Sequence, residues 1–191
     1  MVSEKLDRRV NRTRRRIRKS LFLLMKKLPY ERIRTAHIAE EADISRSTFY
    51  LHYETKDDLL DSVIDEIIGE YMAALDAPEQ NRKMEPTYLL FSLWKENMSE
   101  MQLIVRAGLE HRIFQRLRKS NIKHEHIDNI HNHLLNDYVH ELVNGAEFGL
   151  LLRWTRDGGK IPIDQMVGLY NELQIDDLFA TIEQKMPEFG A

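Results

Sequence analysis

Cysteine is absent from the 191-residue chain, so no disulfide, thiolate metal site or cysteine nucleophile can be built from it. Proline (5) and glycine (8) are sparse and no long serine or glutamine tract occurs, which excludes low-complexity and collagen-like architectures. Long apolar runs are missing as well. The longest, Leu21 to Met25, has five residues, against the roughly 20 needed to cross a bilayer. The basic N-terminus lacks the apolar stretch of about 7–15 residues that a secretory leader carries, so a cytoplasmic location without a membrane partner is expected. What is present, 42% apolar and 31% charged side chains, suffices for one or two ordinary cores.

The net charge of −3 conceals a segregation. Residues 1–56 hold 15 basic and 7 acidic side chains, net +8, whereas residues 57–191 hold 13 and 24, net −11. A cationic head on an acidic body concentrates a polyanion at the head, and both nucleic acid and an anionic membrane surface meet that description.

Period-two alternation and Asn-Gly or Asp-Gly hairpin turns do not stand out, while helical spacing recurs throughout. Ile17, Leu21, Leu24 and Leu28 form one stripe of a first helix whose other face carries Arg15, Arg18, Lys19 and Lys26, and Pro29 stops it. Short helices are predicted at about 35–42 and, behind the N-cap residue Ser45, at 46–52. Thr55 and Asp58 have the spacing of a capping box that starts a fourth helix. Beyond a break at about 76–85, helices are predicted from Pro86 to Met98, at 100–109, 112–119 and 125–156, from Pro162 to Leu173, and at 176–186. The expected fold is all-α. An N-terminal three-helix unit, residues 1–55, precedes a helical bundle, residues 56–191, with 56–76 as connecting helix.

Segment 35–53, TAHIAEEADISRSTFYLHY, carries the sharpest signal, because each position has a steric role in two helices crossing at a tight turn. Ala39 is small where the second helix approaches. Asp43 tolerates the left-handed conformation that the turn needs. Ile38, Ile44 and Phe49 fill the core between the helices, which leaves Arg46, Ser47, Thr48 and Tyr50 exposed as candidate contacts to bases or phosphates. An ordinary helical hairpin with a solvated polar side would share this pattern, and the +8 head favours DNA.

Segment 13–60 resembles the DNA-binding domain of TetR-type transcriptional regulators, whose pattern runs I-A, then A-G-V-S-x-G-T-L-Y-x-H-F, then K before a hydrophobic helix start. Here it reads Ile38-Ala39, then Ala42-Asp43-Ile44-Ser45-Arg46-Ser47-Thr48-Phe49-Tyr50-Leu51-His52-Tyr53, then Lys56 and Leu59. The resemblance implies that Arg46, Ser47 and Tyr50 reach the groove and that Thr48, His52 and Lys56 hold phosphates. Arg34, Thr35 and Ser45 complete the expected DNA-binding set. Pro29, Asp43 and Ser47 stand where the family has glycine, and Ile33-Arg34 replace a threonine pair. Arg8, Arg9, Arg12, Arg14, Arg15 and Arg16 are expected to form an arm ahead of the first helix, of the kind that enters a minor groove.

In the body, the stretch from Tyr138 to Trp154 is apolar on more than one side and therefore needs cover on more than one side. Gly145 and Gly149 each give up about 1 kcal/mol of helix propensity relative to Ala, which suits a closely passing backbone. With the helix after Pro162 this predicts a four-helix interface between two copies, involving Gly145, Phe148, Gly149, Leu151, Leu152, Met166, Val167 and Tyr170. The resemblance implies dimerisation through the last helices. Residues 148–166 also look like a subgroup carrying G-L-x-x-x-W-x-x-x-G-x-x-x-x-P, which includes repressors and activators. Tyr88, Phe91, Trp94, Met98, Met101 and Phe114 are at helical spacing. Such residues are ordinary core or the lining of an apolar effector cavity.

Two H-x-x-x-D-x-x-H sets, His124-Asp128-His131 and His133-Asp137-His140, suggest metal, but the outer histidines of each stand about 10.5 Å apart along a helix and no pair is at i,i+4. No metal and no cofactor are expected, and the absence of a G-x-S-x-G elbow, a phosphate-cradling glycine loop and H-E-x-x-H argues against an enzyme. The favoured reading is a homodimeric regulator of double-stranded DNA that recognises an inverted repeat, a repressor released by an unidentified small-molecule effector. An activator of the same family is the first alternative. A membrane-surface or partner-binding protein using the basic segment from Arg8 to Leu28 is the second, from another class.

Overall fold

The computed structural model describes residues 2–75, 85–119 and 133–172, and among these every regular element is helical. The elements are α1 (Val2–Met25), a 3-10 turn (Tyr30–Arg32), α2 (Thr35–Glu41), α3 (Arg46–Tyr50), α4 (Lys56–Leu75), α5 (Pro86–Glu96), α6 (Met98–Arg106), α7 (Glu110–Lys119), α8 (His133–Arg156) and α9 (Ile163–Glu172). The predicted helix at 176–186, and His124, Asp128 and His131, lie outside the described residues.

Helix α1 corrects one expectation. The arginine cluster forms no extended arm but belongs to a single helix that begins at Val2. Nothing between Val2 and Met25 breaks a helix, and Thr13 points its hydroxyl back to the Arg9 carbonyl at 3.0 Å. Three residues of the predicted stripe, Ile17, Leu21 and Leu24, are buried on the side of α1 that meets α2 and α4, whereas Leu28 lies past the end of the helix and is exposed.

At its start, α4 has both halves of the capping box: Asp58 accepts from the Thr55 amide at 2.9 Å, and its own amide donates to the Thr55 hydroxyl at 3.0 Å. The helix buries Leu59, Leu60, Val63, Ile64, Ile67, Ile68 and Tyr71 on the side packed against α1 and α5. Along another face, Asp57, Asp61 and Asp65 recur at i,i+4 and meet α7. Arg112 reaches Asp61 at 2.9 Å and Asp57 at 3.4 Å, and Arg116 reaches Asp61 at 2.9 Å and Asp65 at 2.5 Å. Thus α4 is clamped by apolar packing on one side and by an ion ladder on another.

The predicted helix from Pro86 to Met98 is interrupted one residue earlier. Asn97 leaves helical geometry, donates its side-chain amide to the Leu93 carbonyl at 2.9 Å and precedes α6 at the N-cap position. In the body, α5, α8 and α9 enclose Phe91, Trp94, Leu151, Trp154 and Met166. Trp94 donates its indole N–H to the Thr155 hydroxyl at 2.7 Å, and the Phe91 and Trp154 rings meet edge to face at 5.5 Å. Gly159, with φ 64°, closes α8 through its amide bond to the Trp154 carbonyl at 2.8 Å.

Candidate nucleic-acid interface

The turn between α2 and α3 is built as the sequence demands. Asp43 takes φ 50°, the Ile44 amide bonds the Ala39 carbonyl at 3.0 Å, and Ile38, Ala39, Ala42 and Phe49 are buried behind it. Ile44 is half-buried. The turn is also tied to α1, because Arg16 donates to the Asp43 carboxylate at 3.0 Å and to its carbonyl at 3.2 Å.

Ser45 caps α3. Its Oγ accepts from the Thr48 amide at 3.0 Å and lies 2.8 Å from both the Ser47 and Thr48 hydroxyls, so three predicted contact residues form one hydroxyl cluster at the helix start. Arg46, Ser47 and Tyr50 are exposed and Thr48 is half-buried. At the other end of the helix, the Tyr50 hydroxyl stands 3.1 Å from Thr35 Oγ1, joining α3 to the first residue of α2. The Tyr50 ring meets buried Phe49 edge to face at 5.7 Å. Arg34 is exposed immediately before Thr35, and its amide donates to His37 Nδ1 at 3.3 Å.

Lys56 departs from the expected role. Its ammonium donates to the carbonyls of Tyr30 at 2.6 Å and Ile33 at 3.0 Å, reaches that of Glu31 at 3.4 Å, and lies 4.3 Å from the Tyr30 ring centroid. It closes the C-terminal carbonyls of the 3-10 turn and is directed at the protein's own backbone. Tyr30 in turn donates to Asp57 at 2.6 Å, and burial, reinforced by that carboxylate, pushes its phenol far above the ordinary value. His52 is half-buried beside Tyr53. Burial, with the Arg14 charge adding to it, lowers its imidazole below the usual value, so a neutral ring is favoured near neutral pH.

The sequence reading passed over Leu51, which is 82% exposed at the end of α3 beside Tyr50. An apolar residue between two polar contact candidates was the available signal, since thymine methyl groups are read by apolar contact.

In the body, Phe91, Trp94, Met98 and Met101 are packed core, while Tyr88 and Phe114 are half-buried. The void against α8, lined by Leu90, Leu117, Asn144, Glu147, Phe148 and Leu151, has about 10 Å³ and holds at most one water. Of the residues assigned to the interface between copies, Leu151 and Met166 are 1% exposed and serve the chain's own core. Phe148 stacks on Phe114 at 5.1 Å, Tyr170 meets Phe91 at 6.5 Å, and Leu152 and Val167 are half-buried. Gly145 and Gly149 face open space, in line with exposed Tyr138 and Leu142.

Residues 24–63, which span this turn, match the family model of bacterial regulatory proteins of the tetR family. The likeness to that family is confined to this segment of the head. Over 106 residues the chain is 26% identical to an uncharacterized HTH-type transcriptional regulator, YxbF, of Bacillus subtilis (strain 168). That alignment takes in 52% of this chain and 28% of YxbF, so the chain spans well under half the length of that relative. A TetR transcriptional regulator from Streptococcus agalactiae 2603V has the same fold, with a TM-score of 0.63 and 16% identity over 90% of this chain and 98% of that one. The dihydroxyacetone kinase operon activator DhaS is a more distant neighbour, with a TM-score of 0.51 and 18% identity over 88% of this chain and 94% of its own. The tetR-family match thus covers the helix-turn-helix, and the fold likeness extends across the body.

Proposed function

We infer that the chain is a dimeric, sequence-specific DNA-binding transcriptional regulator of the cytoplasm, without enzymatic activity. The observation that carries this is the exposed polar face of α3, Arg46, Ser47 and Tyr50, presented by a capped helix inside the tetR-family segment and on a +8 head. Arg46 reads a base edge, Ser47 and Tyr50 contact bases or backbone, and Arg34, Thr35, Ser45, Thr48 and His52 lie where phosphates pass. Lys56 enters as the residue that fixes the loop ahead of α2. The division at residues 55 and 56 separates this head from a body that α4 joins to it.

The second copy docks on α8 and α9. Tyr138, Leu142, Gly145 and Gly149 follow one another at helical spacing on an open face, and Leu169 is 46% exposed on α9. With Leu152 these make the interface; Leu151 and Met166 do not. Two heads on a two-fold axis read an inverted repeat. We read the sign as repression, relieved when a small-molecule effector favours a dimer with splayed heads. The name of DhaS offers the activator reading one neighbour. Selection of bound genomic fragments followed by footprinting is expected to return a palindrome, and a reporter driven from it gives the sign. Fragments without two-fold symmetry overturn the dimeric reading.

A further inference from the structure

A cleft of about 890 Å³ opens where head and body meet, and of the residues placed at the duplex above only His52 lines it. Four segments build it. Helix α1 supplies Arg14, Arg15, Arg18 and Lys19, with Lys26 just past its end; the connection from α3 to α4 supplies His52 and Tyr53; α4 supplies Ser62, Val63 and Glu66; and α6 supplies Ser99, Glu100 and Leu103. Buried Phe22, Val63 and Leu103 give it an apolar inner surface.

The charges are unevenly matched. Both carboxylates of the cleft are engaged by one residue, because Arg18 holds Glu66 at 3.0 Å and Glu100 at 2.5 Å while also donating to the Asn97 side chain at 3.1 Å. This node fixes α1 to α4 and α6. Arg14, Arg15, Lys19 and Lys26 make no ion pair among the described residues, so four cations line a concave surface whose acids are already taken. The imidazole of His52 registers that field, since the charge of Arg14 adds to burial in disfavouring its protonation.

We propose that this cleft binds an amphipathic organic anion, a carboxylate, sulfonate or phosphate carried on an aromatic or alkyl body. The reasoning is one of matching. An inorganic anion leaves the apolar surface wet, and a neutral hydrocarbon leaves the cations without a counter-charge, whereas an amphipathic anion satisfies both. The volume lies within the roughly 300–1,000 Å³ of small-molecule sites. Because α1 supplies one wall of the lining and α4 and α6 the other, an occupant bridges head and body. Its effect on duplex binding rests on the reading given above, but its binding does not.

The test uses the full chain and two fluorescent probes of similar shape, anionic 1-anilinonaphthalene-8-sulfonate and uncharged N-phenyl-1-naphthylamine. The anion is expected to bind saturably, one per chain, and at least about tenfold more tightly than the neutral probe, as one opposite charge a few ångströms away allows. Ser99→Glu at an exposed position of α6 and Lys26→Glu just after α1, each checked for unchanged helicity, are each expected to weaken the anion about tenfold. Lys160→Glu, remote from the cleft, is expected to have no effect. Equal binding of the two probes, or equal anion affinity in Ser99→Glu and the parent chain, overturns the proposal. Duplex affinity is measured separately on the Ser99→Glu chain, where it is expected to be unchanged. A chain that binds the anion but no duplex refutes the DNA-binding reading and leaves the site standing.

Discussion

Lys56 donates to the Tyr30 carbonyl at 2.6 Å while its ammonium sits 4.3 Å from the centre of the same residue's ring. One side chain thereby ties the first turn of α4 to the loop that aims α2. Lys56→Met removes the donor of two short hydrogen bonds from charged nitrogen to backbone, and is expected to cost about 1.5–3 kcal/mol of stability, visible as a lowered Tm. The alternative, an unchanged Tm with the salt slope of duplex binding reduced by about one, would return Lys56 to the phosphates.

Arg46→Ala and Tyr50→Ala should each weaken binding to the selected duplex by about 1–3 kcal/mol, with the oligomeric state and Tm of the parent. Leu51→Ala is expected to reduce discrimination at one base pair while leaving non-specific duplex binding alone. Anisotropy titrations against the selected site and single-base variants of it measure both. Full affinity in Arg46→Ala removes that residue from the interface.

Asp43 offers a contrast between two substitutions. Its φ of 50° strains any L-residue without a local polar partner, so Asp43→Val should lose roughly 1–2 kcal/mol. Asp43→Gly relieves the strain and forfeits only an exposed ion pair with Arg16, leaving the Arg16 bond to the residue 43 carbonyl, so its stability is expected within about 1 kcal/mol of the parent. Chemical denaturation distinguishes the two.

These local features were legible in the sequence because each is settled within a few residues. Ser45 at the N-cap, Asp43 at the turn, Thr55 with Asp58, and the stripe of Ile17, Leu21 and Leu24 are cases of that kind. What was missed depends on partners far along the chain. Lys56 meets the Tyr30 loop from 26 positions along the chain, and Leu151 and Met166 are buried in a core they share with residues of α5. The break between the helices that follow Pro86 was legible too, and the structure places it at Asn97, one residue before the predicted helix end.

The two faces of α8 should respond differently to charge. Leu142→Glu, at a position 53% exposed, is expected to yield a folded monomer with near-parental helicity, whereas Leu151→Glu buries a charge and should prevent stable folding. Sedimentation velocity with circular dichroism reads both outcomes. A dimeric Leu142→Glu chain would remove α8 from the interface.

His52 supplies a pH dependence. Burial and the Arg14 charge depress its folded pKa below the unfolded value near 6.5, so the folded state takes up fewer protons and the chain should lose stability as pH falls below about 6.5. His52→Gln should flatten that loss. A bound phosphate favours the imidazolium, so duplex is expected to move the His52 titration upward in a nuclear magnetic resonance experiment, and a titration unmoved by duplex would place His52 away from the backbone.

A cationic head that grips a double helix must release counterions when it does so. Binding of the purified chain to its selected duplex, followed by anisotropy from 50 to 200 mM salt, is therefore the most direct measurement. Six to ten phosphates neutralised by the dimer predict a slope of log K against log salt of about −5 to −9, a loss of roughly 10³ to 10⁵ in affinity over that range. An affinity that does not change with salt, or no binding at 50 mM, would contradict it.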